Sequence, residues 1–151
     1  MSWLPVPHRR QHQQADCLPA CAAMVLDYLG QPIDYDDLLR LLGTTPYGTV
    51  ARHVLRLMRP DLNVIYSEGS LADLKACLDR RLPPIALVKT GELPYWAYDT
   101  LHAVVLLGYD EAHVYVNDPV FEQTALPVPI SDFELAWLEM GNRYVVFEPA
   151  Q

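Results

Sequence analysis

At 151 residues, with a formal net charge of −8 and 51% apolar residues, the chain is long enough to bury one substantial core and too apolar to remain disordered. No basic field exists to hold phosphates, which argues against nucleic acid as a partner, and no apolar run reaches the roughly 18 residues of a membrane helix. The N-terminus MSWLPVPHRRQ has no signal-peptide core, and three cysteines at irregular spacing make no disulfide framework, so the expectation is a reduced, cytoplasmic, single domain over residues 1–151.

From Cys17 to Leu29 apolar residues recur at helical spacing, with Pro19 in the first turn and Gly30 as the stop. A second short helix, Asp36 to Leu42, follows Asp34 as cap and closes at Gly43; a third, about Val50 to Met58, ends before Pro60. NVIYS reads as a strand. Ser70 caps SLADLKACLDRRL, with Asp73 in the capping-box position, and that helix is expected to end at Pro83-Pro84.

The second half is β-branched. IALVK, HAVVLLGYD and HVYVND read as strands, the last two joined in a hairpin through Asp110-Glu111-Ala112. TGELPYWAYDTL, between the first two, reads as an aromatic, mobile loop. TALPVPI is an extended piece kept at a sheet edge by its prolines. Ser131 is expected to cap DFELAWLEM, and RYVVFEP closes the sheet. Helices first and antiparallel strands after define an α+β fold, a helical half against a sheet half, with a cleft between them as the natural place for chemistry.

Chemistry centres on Cys17. A cysteine at a helix N-terminus feels the positive end of the dipole, which favours thiolate, the nucleophilic form. A thiolate nucleophile needs an imidazole, and the imidazole an orienting group. His102, at the start of a strand, and Asp118, at the end of its hairpin partner, supply both. Gln11 offers an amide N–H₂ to an oxyanion beside the Cys17 N–H. Each residue also has a plainer reading. Cys17 and Cys21 stand one helical turn apart and fit a shared buried face, the usual place of a free cysteine; strand histidines are mostly structural, and Asp118 before Pro119 suits a turn. A metal site lacks ligand pairs at the right spacing.

Gln11, then Asp16-Cys17, then Pro19-Ala20-Cys21 and an apolar helix ending in Tyr28-Leu29-Gly30 together resemble the opening of the bacteriocin-processing, double-glycine-leader cysteine peptidases (cysteine peptidase family thirty-nine). LHAVVLLGYD is similar to that family's histidine strand and VYVNDP to its aspartate strand. The resemblance implies a papain-like fold and cleavage of a peptide or protein substrate. It also implies Cys17 as nucleophile, His102 as general base and acid, Asp118 as orienting group and Gln11 as oxyanion donor, with no metal or organic cofactor. Two departures qualify the substrate. Leu18 stands where the family has glycine, and the chain carries neither a transmembrane bundle nor a phosphate-binding loop, so a stand-alone enzyme is expected and the Gly-rich leader site is an analogy. Another thiol acyl transfer, deamidation or transpeptidation, and a non-catalytic peptide-binding module are the competing readings. Oligomeric state is not legible in the sequence.

Overall fold

The computed structural model describes residues 3–150. Helix α1 spans Cys17–Tyr28 and α2 Tyr35–Leu42, each followed by a glycine with positive φ, Gly30 and Gly43. That conformation costs glycine little and ends a helix sharply. Asp34 caps α2 by accepting the Asp37 N–H at 3.4 Å. The third helical piece, Ala51–Leu57, is a 3₁₀ helix. Strand β1 (Leu62–Glu68) leads to α3 (Leu71–Asp79), which opens on the expected Ser70–Asp73 capping box.

Two helix ends differ from expectation. Helix α3 stops before the two prolines, because Arg81 enters the left-handed region (φ 63°) while the Arg81 and Leu82 N–H groups turn back onto Leu78 and Cys77 carbonyls. Ser131 does not cap the last helix, α4 (Ile130–Leu138); Pro129 holds the N-cap position and Ser131 lies inside the first turn. Strand β5 (Leu126–Pro129) runs directly into α4, and the Ile130 N–H is already spent on the Ala112 carbonyl.

The remaining strands are β2 (Ile85–Lys89), β3 (Leu101–Tyr109), β4 (His113–Asn117) and β6 (Arg143–Pro149). They complete a six-stranded antiparallel sheet in the order β1-β6-β2-β3-β4-β5. The last strand therefore enters between β1 and β2. The proline-bearing β5 takes an edge, as its missing N–H groups require. The buried side chains of α1, Met24, Val25 and Leu26 among them, share one core with Val104, Leu106 and Phe147 of the sheet. This packing lays the N-terminus of α1 beside the start of β3.

One irregularity matters for the site. In the β3–β4 hairpin, Tyr109 pairs with Val114 and Gly108 with Tyr115, but Leu106 pairs with Val116 and Val105 with Asn117. Leu107 is the extra residue of a β-bulge. Its carbonyl accepts the Leu4 N–H at 2.9 Å, which stitches the bulge to the N-terminal segment.

Candidate active site

Cys17 is the first residue of α1 and is only partly buried, whereas Cys21 is fully buried and Cys77 nearly so. Burial pushes both of those thiols up. Cys21 thus lies in the core, as a shared buried helix face would have it, while Cys17 packs against that core and stays partly exposed. The Asp16 side chain does not cap α1, and Pro19 has no N–H. Among the described residues the Cys17 and Leu18 N–H groups take no partner, so two backbone donors stay free at the helix end that carries the thiol.

His102 and Asp118 meet as the hairpin reading expects. Beyond the bulge Asn117 pairs with Val105, the last pair of the ladder; continued one residue further, that register puts Asp118 level with Val104 and on the face of His102. His102 Nε2 lies 2.7 Å from Asp118 Oδ1, with both side chains buried. Nδ1 remains for exchange with Cys17. Burial opposes the charged imidazole, but the Asp118 carboxylate and the Cys17 side chain together raise the His102 pKa to about 9. Burial likewise pushes Asp118 up, and the hydrogen bond and charge of His102, with further donors, hold it below the usual carboxylate range.

Those further donors were not singled out from the sequence. The Val120 N–H reaches Oδ1 at 3.0 Å; the Tyr95 hydroxyl and Trp96 indole N–H reach Oδ2 at 2.8 and 2.9 Å. The loop that carries them is not loose. Thr90 donates to the Tyr98 carbonyl at 2.7 Å and accepts the Thr100 N–H at 2.8 Å, and Asp99 accepts the Gly91 N–H at 2.9 Å. The available signal was chemical: tyrosine and tryptophan carry polar tips that seek a partner when buried.

Gln11 is placed differently from the simplest expectation. Its amide donates to the Gln13 and Gln14 carbonyls, at 2.8 and 2.9 Å, and its Oε1 is buried with no partner among the described residues. Buried Asp16 braces the same loop from the other side. It accepts the Gln13 N–H and the Tyr35 hydroxyl, each at 3.2 Å, and Tyr35 in turn stacks on His12.

Two clefts adjoin His102. One, of about 660 Å³, is bordered by Cys17, Leu18, the Thr45–Ala51 segment, Leu87, Leu101 and Met140. The other, smaller and more polar, is bordered by Gln11, Gln13, Trp96 and Tyr98. Leu18 is 4% exposed. It therefore forms part of the wall of the larger cleft without filling it. Among the described residues no group of three or more His, Cys, Asp or Glu is arranged to hold a metal, and no helix is long and apolar enough to cross a membrane.

An N-terminal helical half set against an antiparallel sheet, with a cysteine at a helix start beside a histidine–aspartate pair, defines the papain-like cysteine peptidases. A protein from Bacillus anthracis described as C39-like aligns over all of both chains, with TM-score 0.77 and 19% identity. A double glycine motif protease from an AMS/PCAT transporter, solved with its leader peptide, aligns over 99% of this chain and 95% of its own, with TM-score 0.76 and 22% identity. The peptidase domain of Streptococcus ComA, a bifunctional ABC transporter of a quorum-sensing pathway, covers 95% and 98%, with TM-score 0.76 and 19% identity. No curated protein matches the chain. The model of the Peptidase_C39 like family matches residues 3–145, and the chain belongs to that family. It is a cysteine peptidase, a hydrolase.

Proposed function

We propose that this peptidase hydrolyses a bond in a peptide or protein substrate through a Cys17–His102–Asp118 triad, with Gln11 and the helix end as the oxyanion site. The observation that carries the proposal is the buried 2.7 Å His102–Asp118 hydrogen bond, whose histidine borders a cleft that Cys17 also borders. The Cys17 thiolate attacks the scissile carbonyl while Asp118 stabilises the imidazolium. The oxyanion accepts from the Cys17 N–H at the positive end of α1. The Gln11 amide adds a second donor by exchanging one loop carbonyl for the oxyanion. His102 Nδ1 then gives its proton to the departing amine, leaving a thioester on Cys17. Water, deprotonated by His102, releases the acid product and restores the thiol.

A peptide lying across both clefts presents its backbone to Cys17. The leader peptide bound by the double glycine motif protease suggests the first candidates, peptides with a Gly-Gly site. The test is mass spectrometry of a peptide panel, with and without Gly-Gly, incubated with wild type and Cys17→Ala. Cleavage by wild type alone supports hydrolysis. Deamidated or cross-linked peptides of unbroken backbone would move the reaction to another acyl transfer, and bound but unaltered peptide would make the protein a binding module.

A further inference from the structure

The carboxylate of Asp118 is wholly buried and receives four hydrogen bonds, two on each oxygen. Only one of the four, from His102, belongs to the triad. A carboxylate rotates about its last side-chain bond with weak, roughly two-fold preferences, so contacts confined to one oxygen, here His102 and the Val120 N–H on Oδ1, hold that rotation only loosely. We propose that Tyr95 and Trp96 are positioning residues of the reaction. As paired donors to Oδ2, they hold the Asp118 carboxylate ionised and turned so that Oδ1 faces His102. The inference rests on the triad reading above.

Three observations separate this from simple packing. The loop is anchored without Asp118, through Thr90 to Tyr98 and Thr100 and through Asp99 to Gly91, so the two polar tips are not required to hold it. The ring contact of Tyr95 with Phe121, at 5.1 Å, would be met equally by phenylalanine. Yet two neighbouring side chains, which also bring indole and imidazole edge to face at 4.8 Å, aim their only donors at one oxygen.

The chemistry gives that convergence a use. Burial alone drives a carboxylate toward its neutral form, and a neutral Asp118 neither stabilises imidazolium nor keeps Nε2 occupied. Tyr95 and Trp96 are uncharged, so they lower the proton affinity of Asp118 without competing with His102 for the negative charge. The mobile proton then stays on the imidazole, where the leaving amine can take it. No bond is made or broken at either residue.

The test uses Tyr95→Phe, which spares the ring packing, and Trp96→Phe, which removes the indole N–H together with part of the ring, in the full chain. Trp96 borders the smaller cleft and Tyr95 does not, so turnover is read on Tyr95→Phe and the Asp118 titration on both. With carbon-13 aspartate, the Asp118 carboxyl midpoint in the folded proteins should rise by about one pH unit for each donor removed. Peptide hydrolysis by Tyr95→Phe should lose roughly tenfold in kcat at unchanged KM. A midpoint unchanged in both variants overturns the proposal, and so does a moved midpoint with kcat within twofold of an active wild type. If wild type cleaves no peptide, the titration still decides this inference while the peptidase reading fails separately. Should one variant not fold, the titration of the other decides.

Discussion

Leu107 and Asp118 are linked by register: the extra residue at Leu107 in β3 is what turns Asp118, and not Asn117, toward His102. Had the pairing of Tyr109 with Val114 run on unbroken, Asn117 would stand opposite Leu106 and share the His102 face. Because the bulge intervenes, Asn117 faces away. It donates to the Val6 carbonyl and accepts from the Thr124 hydroxyl and Ala125 N–H. The two residues should therefore fail in different ways. Asp118→Ala should lower turnover by about 10²–10⁴. Asn117→Ala should cost about 1–3 kcal/mol of stability, read as a lower Tm, and leave the folded enzyme within a few-fold of wild type. The reverse ranking would exchange their roles.

The pH profile follows from His102, whose pKa is raised to about 9. Activity that depends on imidazolium should fall on an alkaline limb near that value. Asp118→Asn removes the stabilising charge while burial remains, so the limb should move down by about 1–3 pH units. Stability carries the same signature. A folded pKa above the ordinary 6.5 stabilises the fold fully below pH 6.5, and that gain, about 3 kcal/mol, is lost as pH rises through 9. A thermal midpoint independent of pH from 6.5 to 9, together with an unmoved limb, would contradict the ion pair.

Gln11 tests the oxyanion site. Gln11→Ala should lower kcat by about 10²–10³, the cost of one oxyanion donor, with alkylation of Cys17 little changed. A role confined to bracing the Gln13–Gln14 loop would instead show as a lower Tm with kcat within a few-fold.

Thiol reactivity separates the three cysteines. Iodoacetamide near neutral pH should label Cys17 much faster than Cys21 or Cys77, both buried with thiols pushed up by desolvation. Labelling that begins at Cys77 would reassign the nucleophile.

Much of this was legible in the chain. Cys17, His102 and Asp118 announce themselves because each brings a chemistry at an element end, and the apolar periods on either side locate those ends. Gly30, Gly43 and the Ser70–Asp73 box mark boundaries through local backbone rules that need no tertiary context. What stayed hidden depends on contacts distant in sequence. The Leu107 bulge is stabilised by Leu4, far away along the chain. Tyr95 and Trp96 read as part of a mobile loop because their partner, Asp118, lies beyond the next hairpin. Ser131 looked like a cap because nothing local shows that β5 runs unbroken into α4. Leu18 departs from the family pattern, yet burial absorbs its side chain into the cleft wall.

The central claim, that Cys17 carries the acyl group of a cleaved substrate, is tested most directly by acid-quenched mass spectrometry. A peptide ester cleaved by wild type is stopped within the first turnover, and the acyl mass is mapped to a proteolytic fragment. The account predicts a hydroxylamine-labile acyl group on the fragment containing Cys17, absent from Cys17→Ala, which forms no product. An acyl group on another residue, or product formation undiminished in Cys17→Ala, would contradict it.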